Sequence, residues 1–261
     1  MSGARRYIDE LAARGRYHFT PEAAREALGG TKTAVMLALN RLARQGLVAH
    51  PAHGFYVIVP PEYRRLGCLP ADQFIPALME QLGIDYYVGL LSAAQYHGAA
   101  HHRPQEFQVV IGTKRRGIAC GAVRVVFIVR KHLADVKTRP FNTPRGTVRV
   151  STVETTVIDL IGYPHHAGGL EQAATVIAEL AEQIDPERLV AAARTAPIPW
   201  AQRLGYLLDM AGKAEKAELL RRYVHEAARD ITPLIPAMPR EAAVRDAGWK
   251  LDVNADVEIE A

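Results

Sequence analysis

The chain has 261 residues, 49% hydrophobic and 23% charged, a length that suits two domains at roughly 100 to 200 residues each. No segment approaches the roughly 18 uninterrupted apolar residues of a membrane span, and Asp9, Glu10 and Arg14 break up the N-terminal stretch where a secretory signal needs its apolar run. The sequence therefore reads as cytoplasmic, with no membrane partner.

The net charge of +4 is unevenly spread. Residues 1–60 carry 8 Lys and Arg against 4 Asp and Glu, residues 61–150 carry 13 against 6, and residues 151–261 carry 11 against 18. A basic front and an acidic back point to a nucleic acid or another polyanion as partner of the front part. The two cysteines, Cys68 and Cys120, stand far apart without Cys-x-x-Cys spacing, which argues against a zinc site or a disulfide scaffold. They read as ordinary packed thiols.

In chain order, Tyr7, Ile8, Leu11 and Ala12 fall at helical spacing and predict a helix over Ala4–Arg14. Thr20-Pro21 opens a second helix, the threonine as cap and the proline at N1, and Gly29-Gly30 closes it. A third helix is expected over Thr31–Gln45, with Val35, Leu39 and Leu42 as its apolar stripe and Gly46 as its stop. Leu47–Ala49 and Phe55–Val59 are β-rich runs joined by His50–Gly54, a hairpin pattern, and Pro60-Pro61 is the candidate linker. Beyond it, helices are expected over Gln73–Leu82 and Val88–His97, and strands over Glu106–Ile111 and Val123–Arg130, with a basic loop at Thr113–Gly117. Ser151-Thr-Val-Glu154 has the form of a capping box before a helix over Thr152–Ile161. Helices follow at Leu170–Gln183, Pro186–Ala193, Trp200–Ala211 and Glu215–Arg229, then a β-like end at Trp249–Val253.

The fold class is thus α/β (α+β). Residues 1–60 read as a winged helix-turn-helix DNA-binding domain, and residues 61–261 as a mixed α/β domain with a helical C-terminal part. In a winged helix the helix before the hairpin enters the major groove. Opposite the apolar stripe of Thr31–Gln45 lie Thr33, Asn40 and Arg44, flanked by Met36 and Arg41, with Thr31 and Lys32 at the N-terminal end. Lysine and arginine suit guanine edges or phosphate, and asparagine can pair with adenine. Leu37 shares this face and would meet a thymine methyl or a neighbouring subunit. His53 and Tyr56 of the wing, and Arg5 and Arg6, are candidates for DNA backbone contacts. The alternative is a winged helix that pairs proteins. A second basic surface is expected from Lys114, Arg115, Arg116, Arg124, Arg130 and Lys131, continued by Lys137, Arg139, Arg145 and Arg149.

Catalytic patterns are thin. His97 and His101-His102 are spaced for a helical metal pair, but no acidic or cysteine ligand adjoins them and Gly98 ends the helix. Glu106-Phe107-Gln108 lacks the lysine of a metal-dependent nuclease, and no phosphate-binding glycine loop or nucleophile elbow is found. Glu154 and Asp159 are five apart and share a helical face poorly. No catalytic residue, metal or cofactor is expected; a nuclease or nucleotidyltransferase in the C-terminal domain is the enzymatic alternative.

Several segments together resemble the AbiEi family of antitoxins and transcriptional regulators: Asn40-Arg-Leu-Ala-Arg-Gln-Gly-Leu-Val, Gly54-Phe-Tyr-Val, Tyr87-Val-Gly-Leu-Leu-Ser-Ala-Ala-Gln-Tyr-His-Gly-Ala, Val150-Ser-Thr-Val-Glu-Thr-Thr-Val-Ile-Asp-Leu, Arg203-Leu-Gly-Tyr-Leu-Leu and Trp249-Lys-Leu-Asp-Val-Asn. The resemblance implies a type IV toxin–antitoxin, phage-defence function. Its N-terminal domain would bind inverted repeats in double-stranded DNA at its own promoter and repress the operon. Its C-terminal domain would counter a cognate nucleotidyltransferase-type toxin, often without direct contact. On this pattern Lys32, Thr33, Asn40, Arg41 and Arg44 would read DNA, and the basic stretch 113–149 would be the antitoxin or auxiliary DNA surface.

Overall fold

The computed structural model describes residues 3–99 and 104–259. The chain forms a mixed α/β protein in two compact units, one made of Met1–Tyr87, Gln105–Arg130 and Pro140–Arg149, the other of Val88–Pro104, Lys131–Arg139 and Val150–Ala261. Among the described residues no helix is long and apolar enough to cross a membrane.

The first unit begins with α1 (Gly3–Ala13), β1 (His18–Phe19), α2 (Pro21–Leu28), α3 (Lys32–Arg44), β2 (Val48–Ala52) and β3 (Phe55–Ile58). Local chemistry sets the helix ends. Thr20 Oγ1 accepts from the Ala23 amide at 3.1 Å with Pro21 in the first turn of α2, and Gly29 leaves the helix at φ +67°. Thr31 Oγ1 caps α3 by accepting from the Ala34 amide at 3.2 Å. The strands make an antiparallel sheet in the order β1-β3-β2. Its hairpin is tighter than the expected five-residue loop. Strand β2 runs on to Ala52, which pairs with Phe55 across His53-Gly54, and Gly54 at φ +70° makes the turn. The extra length is taken up by a bulge between Ala49 and Ala52, where Pro51 has no amide hydrogen to give the ladder. Ile8, Leu11, Phe19, Val35, Leu39 and Ile58 anchor a hydrophobic core built wholly from residues 4–58. The Phe19 ring meets Tyr7 edge-on and stacks on Tyr56, each with centroids 5.5 Å apart.

After a 3-10 turn at Pro61–Tyr63 come α4 (Ala71–Leu82), stopped by left-handed Gly83, then β4 (Tyr86–Val88) and α5 (Leu90–Tyr96). The expected helix over Val88–His97 is therefore shortened. Tyr86-Tyr87-Val88 is a fully buried, β-prone run, and Gly89 caps the helix only after it. Next are β5 (Phe107–Ile111), β6 (Ile118–Cys120), β7 (Val123–Val129), β8 (Thr138–Thr143) and β9 (Gly146–Ser151). With β4 they form a six-stranded sheet in the order β6-β7-β5-β4-β9-β8. Strands β5 and β7 pair in parallel, Phe107 opposite Val125, and β6 pairs antiparallel to β7. Neither β8 nor β9 was expected. Both are rich in charged, proline or threonine residues with exposed faces, so apolar alternation gives little sign of them.

The helical part of the second unit comprises α6 (Val153–Gly162), α7 (Leu170–Leu180), α8 (Pro186–Ala193), α9 (Ile198–Met210) and α10 (Ala214–Ala227). Helix α6 is central, packed by α5, α7, α8 and α9, and every residue from Val153 to Ile161 is buried. Its cap differs from the expected capping box. Ser151 ends β9, Thr152 caps the helix through the Thr155 amide, and the Glu154 carboxylate accepts from the Asp185 amide at 3.2 Å. A small sheet of β10 (Thr232–Pro233), β11 (Val244–Asp246) and β12 (Leu251–Val253), ordered β10-β12-β11, closes the chain.

Candidate functional site

The exposed face of α3 is polar because its apolar positions are used elsewhere. Val35, Leu39 and Leu42, the stripe expected from periodicity, are its buried residues. Lys32, Thr33, Asn40, Arg41 and Arg44 are exposed, as is Leu37 at 51%. Thr31 is exposed too, but its hydroxyl is engaged in capping the helix. Asn40 and Arg44 are one turn apart and share a face with Thr33 and Leu37. Arg41 and Arg44 lie in the last turn, where positive charge suits the helix dipole. In the hairpin His53 is exposed at the turn. Tyr56 is 4% exposed, its ring packed against Phe19 and His50, so it is a core residue and not a wing contact. At the N-terminus Arg6 is exposed, and Arg5 pairs with Asp9 at 3.0 Å.

The basic residues of 113–149 differ in exposure and in partners. Lys114, Arg115 and Arg116 occupy the loop between β5 and β6; Lys114 and Arg116 are exposed, and the Arg115 guanidinium lies over the Phe127 ring at 5.7 Å. Arg124 on β7 is exposed but folds back to donate to the Gly121 and Val123 carbonyls at 2.7 and 2.9 Å. Arg130 is only 3% exposed, and its Nη1 donates to the Tyr87 hydroxyl at 3.3 Å, which removes it from any solvent-facing surface. Lys131 is exposed and belongs to the second unit. Arg145 stacks on Tyr17 at 3.6 Å and donates to Glu62; Arg149 lies over Tyr86 at 5.1 Å and donates to Asp85. Arg145 is built into its own fold, whereas Arg149 stays exposed in a surface pair with Asp85.

The quoted motifs meet in space. His97, which follows α5, donates from Nε2 to the Ser151 carbonyl at 2.7 Å. Ser151 Oγ donates to the Val88 carbonyl at 3.3 Å and lies 2.7 Å from Thr156 Oγ1, while Gln183 Nε2 donates to the His97 carbonyl at 2.8 Å. Burial, reinforced by the charge of Arg139, holds His97 below the usual histidine range despite its carbonyl partner and Glu154. A neutral imidazole suits this seat. His97 thus acts as a buried clamp between two segments, which the His-Gly pair following a helix could have signalled. His101 and His102, the histidines at metal-pair spacing from it, lie outside the described residues. Among the described residues no group of three or more His, Cys, Asp or Glu is placed to hold a metal ion.

A second meeting joins Arg203-Leu-Gly to Trp249. The fully buried indole lies against the bare backbone of Gly205, and its Nε1 donates to Asp209 at 2.7 Å. Gln202 Nε2 donates to the Trp249 and Lys250 carbonyls at 3.2 and 2.8 Å, and Arg203 Nε to the Pro233 carbonyl at 3.0 Å. Burial lowers the pKa of Arg203.

A sequence model of the AbiEi antitoxin C-terminal domain matches residues 87–210. Among solved structures, the RV2827C protein from Mycobacterium tuberculosis superposes with a TM-score of 0.68 at 19% identity, over 95% of this chain and 90% of that one. An antigenic nucleotidyltransferase-like protein from Paracoccidioides brasiliensis gives 0.39 at 11% identity, over 56% of this chain and 89% of that one. The first likeness is one of fold alone, and the second bears on neither fold nor function. Among curated proteins none matches the sequence. The match of the family model takes in both motifs joined by His97 and the start of the Trp249 seat. Over residues 87–210, a little under half of its length, the chain is thus similar to the AbiEi antitoxin C-terminal domain family.

Proposed function

We propose that this protein is the antitoxin of a type IV toxin–antitoxin, phage-defence system and also a DNA-binding repressor of its own operon. Residues 1–60 act as a winged helix-turn-helix on inverted repeats in the promoter. Residues 61–261 counter a nucleotidyltransferase-type toxin in the cytoplasm, without catalysis of their own.

One observation carries the DNA-binding reading: α3 precedes the hairpin of a unit with its own core and turns Thr33, Asn40, Arg41 and Arg44 outward with Lys32 at its start. The family match over residues 87–210 supports the antitoxin reading. The loop bearing Lys114, Arg115 and Arg116 is a part of the basic stretch suited to meet another molecule, since Lys114 and Arg116 are exposed while Arg130 is buried and Arg145 packs on Tyr17.

A gel shift and footprint on DNA upstream of the gene, at several salt concentrations, tests the repressor half. Asn40→Ala or Arg44→Ala should each weaken specific binding by about 1 to 3 kcal/mol, roughly 5- to 150-fold. Unchanged binding in both variants refutes this recognition face. Relief of toxin-induced growth arrest on co-expression tests the antitoxin half.

A further inference from the structure

The two cysteines, 52 positions apart in sequence, are neighbours in the fold. Segments Leu66–Cys68 and Cys120–Ala122 cross at a pair of glycines. The Ala122 amide donates to the Leu66 carbonyl at 2.7 Å. A Cβ on Gly121 would lie 2.1 Å from the Leu66 oxygen and 2.9 Å from the Gly67 Cα, so only glycine permits this approach. The cysteines flank the crossing. The Cys68 thiol is fully buried, the Cys120 thiol beside it is partly exposed, and neither is in a disulfide.

Their surroundings differ in a way that matters chemically. The Cys120 pKa is drawn below the usual thiol range by the Cys68 hydrogen bond first, then by the His50 amide and the Arg124 charge, against the effect of burial. The Cys68 thiol is pushed up by that same hydrogen bond and by burial.

We propose that Cys68 and Cys120 are a redox-active dithiol in which Cys120 reacts with a peroxide and Cys68 resolves the product to an intramolecular disulfide. The Cys120 thiolate attacks one peroxide oxygen and the O–O bond breaks. Cys120 becomes a sulfenic acid, and the departing oxygen leaves as water after taking up a proton. The Cys68 sulfur then attacks the Cys120 sulfur; the S–S bond forms, the S–O bond breaks, and the hydroxide leaves as water with the Cys68 proton. The peroxide is reduced by the two electrons that the thiols lose. A dithiol reductant reverses the change. Oxidation also removes the charge facing the His50 amide, so the redox state is felt in the hairpin.

Full-length reduced protein, freed of reductant and treated with hydrogen peroxide, should lose the mass of two hydrogens and yield a Cys68–Cys120 cross-linked peptide within the monomer, reversible by dithiothreitol. Cys68→Ser should accumulate a Cys120 sulfenic acid that dimedone traps. Cys120→Ser should leave Cys68 about tenfold or more slower to oxidise than Cys120 in the other variant. Two alkylatable thiols after peroxide, a cross-link only between chains, or faster oxidation of Cys68 would each overturn the proposal. The wild-type peptide map decides the matter even if a variant fails to fold.

Discussion

Replacing Gly205 by alanine puts a methyl group where the Trp249 ring already is. The added Cβ would stand 2.1 Å from two ring carbons and 2.4 Å from a third. Apolar carbons rest at about 3.5 to 4.0 Å, so ring or helix must retreat by roughly 1.5 Å. Retreat is opposed on several sides. The indole nitrogen donates to Asp209 at 2.7 Å, the Trp249 amide donates to Asp246 at 2.8 Å, and the Arg221 guanidinium covers the ring at 4.5 Å while donating to Asp209. Overpacking costs about 1 to 3 kcal/mol, and a weakened hydrogen bond to a carboxylate about 1.5 to 3. Alanine's better helix propensity offsets about 1 kcal/mol. The net loss is about 1.5 to 5 kcal/mol, which for a domain of this size lowers the melting temperature by on the order of 10 °C. Thermal melts of Gly205→Ala, Trp249→Leu and the double variant should show the alanine costing little once the indole is gone. The reasoning fails if Gly205→Ala melts at or above the wild type, or loses the same amount in both backgrounds.

Three burial-lowered histidines, His18, His50 and His97, should make the fold acid-sensitive. Their folded pKa values lie below the unfolded value near 6.5, so the unfolded chain binds more protons in that window. Stability is therefore full above about pH 6.5 and declines as pH falls toward the folded values. In urea titrations between about pH 7 and pH 5, His97→Gln should flatten this decline; a slope equal to or steeper than the wild type's would count against it. Replacing Lys114, Arg115 and Arg116 together by alanine should reduce protection from the toxin while repression persists. If operator binding weakens instead and its salt dependence becomes shallower by about 3 in log–log slope, the loop is part of the DNA footprint. Arg130→Met should abolish the hydrogen bond to Tyr87 and lower the urea midpoint without changing operator affinity, whereas weaker DNA binding at unchanged stability would mean that Arg130 is reachable after all.

The parts of the fold legible in the sequence are those set by short-range chemistry. Thr20-Pro21 opens α2 as its residue types predict, and Val35, Leu39 and Leu42 are buried as their spacing requires. Local pattern and fold part company where neighbours distant in sequence decide. Ser151-Thr-Val-Glu154 reads as a capping box, yet Ser151 is drawn into the β9 side of the network, and Glu154 finds a better donor in the Asp185 amide 31 residues on. Arg130 follows a strand that carries exposed Arg124, yet it is buried with its guanidinium on the Tyr87 hydroxyl, a partner 43 residues away. The meeting of Cys68 and Cys120 rests on two glycines that let backbones cross, and spacing along a chain carries no trace of such a crossing. Among the proposed DNA-reading residues, exposure was readable from periodicity; what they touch is not a property of one chain.

Helix α6 has buried residues at every position from Val153 to Ile161, polar Glu154, Thr155, Thr156 and Asp159 included. A segment enclosed on all sides has no surface left to offer a toxin or an operator. It is also among the stretches by which the family is recognised. What this stretch shares with the family model is therefore interior fit, and any recognition of a toxin or promoter by this protein, as proposed above, falls to residues outside α6.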